Sequence, residues 1–388
     1  MTGLPLSVRV VNSVGAIPKA AWNALVRPEH PPVLRWEWLD ALESSGSTVA
    51  RTGWEPCHFT AWRGETLVGL APAFLKHHSM GEYVYDFAWA NAAARVGVEY
   101  YPKLLVGIPL SPLTCPRFVA AHGESEALIR ATLLEAALTV VKEEQLSSLH
   151  VIFPPEPEAK ELEGLGLFRR AGLQYHWKNQ GYATYADFLG RFDSKRRHQL
   201  KRERGAAATQ GVHLRTVRGA ELSDTHARLA FRFYEATVSK NGWGQLQLNR
   251  GFFERAFAAL PGSIELVVAE KGGEVIAGAF NLASKTRLWG RYWGCFEELP
   301  FLHFHVCLYH SIDECIALGR QVFEPGAGGE HKVPRGFPPT LIHSAHHVSH
   351  PQLSAALARA CARERVEAEA MARDGEALAG MKPITPSH

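Results

Sequence analysis

The chain has 388 residues, 46% of them hydrophobic and 21% charged, with a formal net charge of +3. That length exceeds one ordinary core, so two domains are expected, and the composition is that of a globular protein, not a disordered or fibrous one. No run of about 18 apolar residues could span a membrane, and so small a charge does not by itself call for nucleic acid. The first residues, MTGLPLSVRVVNSVG, lack the charged and apolar regions of a secretory leader. The six cysteines form no CxxC pair, so reduced, buried thiols and a cytoplasmic location are expected.

In chain order, Val8–Val11 reads as a short strand, and Pro18–Leu25 and Trp36–Ser44 as helices. His58–Trp62 and Thr66–Leu75, on either side of Arg63-Gly64, form a predicted hairpin. Tyr83–Tyr101 is an insertion rich in aromatics and alanine. It reads either as a wall of a substrate cleft or as a surface excursion packed on its own aromatics. Lys103–Ile108 follows as a strand, Glu124–Glu144 as a long helix and Ser148–Phe153 as a buried strand. Gly172–Asn179 is the expected last strand of the first domain.

Tyr185–Phe192 and Ser194–Gln210 open the second half. Lys195–Arg204 carries six Lys or Arg against one Glu. Ser194 is the expected N-cap and Gly211 the expected stop. This basic helix reads either as a solvated face or as a surface for RNA phosphates. Val212–Val217 is a strand, a helix runs from a cap at Ser223 to Lys240, and Asn249–Leu260 is another helix. Glu265–Glu270 and Val275–Leu282 make a second hairpin around Lys271-Gly272-Gly273. Thr286–Gly294 alternates with a period of two and reads as a strand; Phe304–Leu318 has a buried helical face. Gln321–Glu324 is a short strand, and Pro351–Ala372 is a terminal helix with proline in its first turn. Residues 373–388 are expected to form a mobile tail.

The second half repeats the first. Gly64-Glu65-Thr66-Leu67-Val68-Gly69 lines up with Gly273-Glu274-Val275-Ile276-Ala277-Gly278 at an offset of 209 residues (273 minus 64). Each hairpin is followed by a strand, a long helix and a short apolar strand. A tandem duplication is therefore expected, with domains at 1–180 and 181–372. After Gln321–Glu324 the chain enters Gly326-Ala327-Gly328-Gly329-Glu330-His331-Lys332. Three glycines beside three ionisable side chains mark a loop where backbone can approach a ligand closely. His303 with His305, and His343 with His346 and His347, raise a metal reading, but their spacings fit no common zinc site and no metal is expected.

Several motifs go further: Tyr100-Tyr-Pro-Lys-Leu-Leu-Val, Phe153-Pro, His176-Trp, Gly290-Arg-Tyr-Trp-Gly, Pro300-Phe-Leu-His-Phe, Phe323-Glu, and Gly329-Glu-His-Lys with Arg335-Gly-Phe. Together they resemble a bacterial family of N-acyltransferases labelled peptidoglycan biosynthesis/recognition and related to the FemAB aminoacyltransferases. The resemblance implies an α/β fold of two tandem GNAT-like (acyl-CoA N-acyltransferase) domains, with mixed central sheets flanked by helices. It also implies transfer of an acyl or aminoacyl group to an amine, on a small molecule or on a peptide such as a cell-wall precursor.

That chemistry needs a neutral amine, an activated acyl group and donors for the developing oxyanion. Glu330 and His331 are the candidate catalytic bases. Lys332 and Arg335 are candidates to hold a phosphate or carboxylate, and Arg291, Tyr292, Trp293, His303, Tyr101 and Lys103 are further candidate substrate contacts. Two middle strands splay in the GNAT fold, and here Val275–Leu282 and Arg287–Gly294 are expected to do so. No tightly bound cofactor is expected; the acyl donor, acyl-CoA or aminoacyl-tRNA, is a co-substrate. GNAT domains that use acetyl-CoA carry a Gln/Arg-x-x-Gly-x-Gly/Ala turn that grips the pyrophosphate. The second half has Glu297-Glu-Leu-Pro-Phe-Leu-His there, and the first half has only Gly123 within Thr114–Glu124. This moves the reading towards aminoacyl-tRNA, for which Lys195–Arg204 is the candidate surface. The alternative is a non-catalytic, degenerate GNAT pair that binds a peptidoglycan-like or peptide ligand.

Overall fold

In the computed structural model, which describes residues 4–240 and 245–382, both expected hairpins are present. The first nine strands are β1 (Leu6–Val11), β2 (Trp54–Pro56), β3 (His58–Arg63), β4 (Thr66–Ala71), β5 (Ala73–Lys76), β6 (Lys103–Val106), β7 (Val119–Ala120), β8 (Ser148–Ile152) and β9 (Phe168–Tyr175). One sheet has the order β1-β3-β4-β7. Pro72 interrupts the run from β4 to β5 and passes the chain to a second sheet, where β5 pairs antiparallel with β6 and β6 parallel with β8. The helix Glu126–Glu143 begins at Ser125, whose side chain accepts from Leu128 N–H. Its Ile129, Leu133, Ala137 and Val141, spaced four apart, lie on one buried face against Phe59, Leu104, Val106, Leu149 and Val151.

The second set of strands is β10 (Trp177–Lys178), β11 (Val212–Arg218), β12 (Ile264–Lys271), β13 (Glu274–Ala283), β14 (Arg287–Cys295) and β15 (Val322–Glu324), in the order β10-β15-β14-β13-β12-β11. Pairing is antiparallel from β11 to β14 and parallel between β14 and β15. Even-numbered positions face the helices Asp224–Lys240 and Arg250–Ala259. There Phe280 and Tyr292 meet Tyr234, Phe253 and Phe257, and Gly278 and Gly294 lie directly under Phe233. The other face packs Val267, Ala269, Ala279 and Cys295 on Ala207, Leu302 and Val306.

A last strand, β16 (Pro339–Val348), pairs antiparallel with β8, so the sheet of the first unit reads β2-β5-β6-β8-β16-β9. No expectation covered this strand. It carries His343, His346 and His347, three of the residues that raised the metal reading. The two units therefore differ from the expected domains. One comprises residues up to Gly172 with Ile342–Ala368, and the other Leu173–Leu341 with the residues from Glu369. The expected tail is also corrected. Gly375–Leu378 is helical, Ala379 is buried, and Met381 bridges Phe192; residues 383–388 lie outside the described residues. The N-cap of the basic helix is Asp193, which accepts from Arg196 N–H, and not Ser194.

The hairpin ladders match rung for rung. Arg63↔Thr66, Trp62↔Leu67 and, across a bulge, Ala61↔Gly69 correspond to Lys271↔Glu274, Glu270↔Val275 and Ala269↔Ala277. The offset is 208 residues (271 minus 63), one fewer than the sequence match implied. Gly64 at φ 59° thus corresponds to Gly272 at φ 60°. A shared bulge one step from the turn is a specific feature to repeat.

Candidate functional site

The expected splay between β13 and β14 does not occur. Those strands stay paired from Ala283↔Leu288 to Ala277↔Cys295. The strands that part are β14 and β15, whose last pair is Trp289↔Glu324. Immediately beyond it the β13–β14 register slips: Asn281 faces Gly290 and Phe280 faces Tyr292, so Arg291 is an additional residue on β14. A bulge here kinks the strand and turns backbone and side chains away from the regular ladder. Glycine at 290 suits a close approach, because a Cβ there would lie 3.2–3.3 Å from backbone atoms of Pro325, which would have to give way slightly.

Three segments border the opening: the end of β14, the loop from Pro325 to Arg335, and the start of the helical run at Leu302. That run opens at Phe301, which is left-handed at φ 64°, and includes a π-helical turn at His305–Tyr309. Trp293 of β14 lies 4.5 Å, centroid to centroid, from His303, and His303 lies 5.5 Å from His331, which is also 5.5 Å from Phe304. Gly329 makes room for this row: it is left-handed at φ 88°, and a Cβ on it would fall 2.6 Å from His331 Cε1. The structure thus brings together Trp293, His303 and His331.

Charge separates the two histidines. Burial, with help from His331, Lys332 and Arg335, pushes His303 down to about 4. His331 is exposed, yet partial desolvation and the same two cations lower its pKa below the usual value. It is neutral at pH 7, and neither imidazole nitrogen is hydrogen-bonded among the described residues. Glu330 is exposed beside it.

The two cations expected to bind substrate are committed to the protein. Lys332 is 5% exposed, and its Nζ donates to Gly326 O (2.9 Å) and Gly328 O (2.7 Å). Burial without a carboxylate lowers it to about 8. Arg335 lies 3.5 Å over Phe304, pairs with Glu203 through Nε at 3.0 Å, and donates to His331 O at 2.6 Å. Tyr309 O–H also donates to Glu203, at 2.5 Å. Both side chains brace the loop from inside and are not available as direct ligands. Sequence reading missed Glu203; its one signal was being the single acid in a basic run. Arg291 and Tyr292 touch each other, with Arg291 Nη2 donating to Tyr292 O–H at 3.3 Å, and the Tyr292 ring lies 4.8 Å from Tyr234 on the opposite face from Trp293.

Tyr101 and Lys103 belong to the first unit. Lys103 is fully buried and donates to Glu82 (2.9 Å), Ser79 (3.2 Å) and Asp86; Tyr101 O–H bonds Ser79 Oγ at 2.7 Å. Burial opposes the charge on Lys103, but Glu82 and Asp86 raise its pKa. An ammonium so enclosed holds the insertion in place and is not a direct substrate contact. The insertion itself forms the helix Phe87–Arg95, with Trp89 and Tyr100 packed on Val348, Leu353, Leu357 and Cys361. His346 is hydrogen-bonded to His150, Nδ1 to Nδ1 at 2.7 Å. Among the described residues no group of three or more His, Cys, Asp or Glu is placed to hold a metal ion, and all six cysteines are unpaired with one another.

At the position of a pyrophosphate turn the second unit has two ion pairs, Lys271–Glu297 (2.5 Å) and Lys240–Glu298 (2.8 Å). On the helix Ser194–Thr209, Leu200, Glu203 and Ala207 face inward, while Lys195, His198, Lys201 and Arg202 are exposed on the opposite side. No described helix is long and apolar enough to cross a membrane.

A family model described as peptidoglycan biosynthesis/recognition, FemAB-like, matches residues 13–383. No curated protein sequence matches the chain. Among solved structures, FemX is 12% identical and aligns over 90% of this chain and 100% of its own, with a TM-score of 0.51, which shows a shared fold. A structure of L-PGS from Bacillus licheniformis is 11% identical over 85% and 97% of the two chains, with a TM-score of 0.49. A tandem GNAT protein from the clavulanic acid biosynthesis pathway is 12% identical over 89% and 99%, with a TM-score of 0.44.

Proposed function

The chain belongs to the FemAB-like peptidoglycan biosynthesis/recognition family, and from that premise we propose that it is an N-acyltransferase whose transfer site lies in the second unit, where β15 leaves β14. One observation carries this reading. The strand departure after Trp289↔Glu324, the bulge at Arg291 and the unbonded, neutral imidazole of His331 all border one opening. Backbone N–H groups of β14 beyond Trp289 would meet the acyl oxygen as negative charge develops on it. His331 would accept the proton as the amine attacks, since a base must be deprotonated near the working pH. Trp293 and His303 would line the acyl group's seat, and Lys332 and Arg335 would hold the loop in register from beneath.

The donor we favour is an aminoacyl-tRNA. At the place where an acyl-CoA pyrophosphate is usually gripped, Glu297 and Glu298 occupy Lys271 and Lys240 and no glycine turn presents its N–H groups, whereas the exposed cations of the helix Ser194–Thr209 suit an RNA backbone. The acceptor would be an amine on a peptidoglycan precursor peptide. The same two acids keep a second reading in play, a degenerate pair that binds such a peptide without catalysis. The deciding experiment offers purified protein labelled aminoacyl-tRNAs or acyl-CoAs together with muropeptide precursors. Transfer from the tRNA, lost in His331→Gln, supports the proposal. Peptide binding with no transfer from either donor supports the second reading, and equal turnover by His331→Gln would remove His331 from the chemistry.

A further inference from the structure

In the first unit, the segments that follow β6 and β8 enclose a cavity of about 170 Å³, bordered by Arg27, His30, Glu126, Arg130, Glu158 and Glu161. Neither the family resemblance nor the transfer chemistry assigns it a use. We propose that this cavity binds a free α-amino acid as its zwitterion, with the carboxylate on Arg130 and the ammonium on Glu158.

Arg130 supplies the first half of the argument. Its side chain is 6% exposed, it forms an ion pair with Glu161, and its Nε–H is buried with no acceptor among the described residues. A buried donor left unsatisfied is unfavourable, and a ligand carboxylate would satisfy it. Glu158 supplies the second half. It is 4% exposed and accepts from the backbone N–H groups of Arg117 (3.0 Å) and Phe118 (3.3 Å). Burial nevertheless raises its pKa to about 7, against the opposing pull of Arg130 and Arg117, so the carboxylate is short of positive partners. Arg117 does not answer that need, because its guanidinium is turned to the carbonyl oxygens of Ile152 and Leu113 and to Cys115 Sγ.

Charge and size narrow the ligand. Two arginines (27 and 130) and three glutamates (126, 158 and 161) line the cavity; Arg27 pairs with Glu126 and Arg130 with Glu161, which leaves Glu158 over, and His30, which burial keeps below its usual pKa, adds no charge at pH 7. A bare anion would meet three carboxylates against two guanidiniums, and a bare cation would leave Arg130 Nε–H without an acceptor. A zwitterion meets one complement for each of its ends. Drug-sized ligands occupy roughly 300–1,000 Å³, so this volume suits something the size of an amino acid.

The test is calorimetry on the full chain at pH 7, in two buffers of different ionisation enthalpy, with alanine as the probe and acetate, glycinamide and inorganic phosphate as single-charge controls. Alanine should bind at millimolar concentrations or better. Its ammonium should pull Glu158 below about 7, so binding should release up to about half a proton per site. Glu158→Gln should abolish that release, and Arg130→Lys should weaken binding about tenfold. If either variant fails to fold, the proton release of the wild-type protein decides alone. Phosphate or acetate binding as tightly as alanine would make this a simple anion site. Alanine binding without proton release would put the ligand elsewhere, and no alanine binding at all would refute the proposal.

Discussion

Lys332 offers a prediction that needs no substrate. Its amine is buried, no carboxylate is near, and its pKa is held at about 8 against the usual 10.5. Between those values the unfolded chain still carries a proton that the folded chain has released. Stability must therefore rise with pH across that window, and the full cost of burying the charge is present below pH 8. The size follows from the gap: about 3 kcal/mol in all, of which about 2 kcal/mol falls between pH 7.5 and 9.5. Deprotonation does not release the loop, because a neutral amine keeps two N–H groups for Gly326 O and Gly328 O. The perturbation is Lys332→Met, which keeps the volume and removes the proton. Urea unfolding of wild-type and variant proteins should show the wild type gaining that 2 kcal/mol relative to the variant from pH 7.5 to 9.5. The ¹³Cε resonance of Lys332 should titrate near 8. A midpoint at or above about 10, or a stability difference flat with pH, would refute the claim that this ammonium is desolvated and unpaired.

Four further outcomes follow. Glu203→Gln strips the buried partner from Arg335 and should cost about 3–5 kcal/mol in urea unfolding, because the guanidinium stays buried without its counter-charge. Gly294→Ala should cost at least about 3 kcal/mol, since the new Cβ would lie 2.2 Å from Phe233 O, while Gly290→Ala, with its contacts at 3.2–3.3 Å, should cost about 1 kcal/mol. If a transfer assay is in hand, its acid limb should fall below pH 6.5, because His331 is lowered from that value and must be neutral to act; His331→Gln should lose about 10²–10⁴ in turnover with an unchanged melting temperature. Lys201→Glu with Arg202→Glu should weaken tRNA binding and flatten its salt dependence, as read by filter binding at two ionic strengths.

How much was legible depended on which signal each feature leaves. The strands and hairpins were legible because buried alternation and glycine turns are local. Even so, the duplication was placed one residue out, since Gly64 has two candidate partners, Gly272 and Gly273, and only the ladder chooses between them. The loop Gly326–Lys332 was legible from its glycines. The roles of Lys332 and Arg335 were not, because a cation in a glycine-rich loop looks the same whether it faces a ligand or braces the loop. Glu203, 132 residues before Arg335, decides that question, and no local pattern links them. β16 was missed because its histidines drew a metal reading and because its partner β8 lies far away in sequence. Its His346 pairs with His150 at a separation of 196 residues.

The duplicated ladder also explains why the two units can differ in function. The two hairpins correspond pair for pair through the shared bulge, and beyond them the units differ in how the later strands are held. In the first unit β8 is held by three pairs to β6 and by five more to β16, so the sheet is closed on both sides of it. In the second unit β15 is only three residues long, held by three pairs to β14 and by two to β10. A strand that short must leave its neighbour at once, and it does so beside Gly290, where the absence of a Cβ lets Pro325 cross within contact distance. The bulge at Arg291 then falls on the part of β14 that β15 no longer covers. An open edge of this kind can meet a ligand, whereas the five pairs between β8 and β16 leave none at the corresponding strand of the first unit. The proposed site thus follows from where one strand stops.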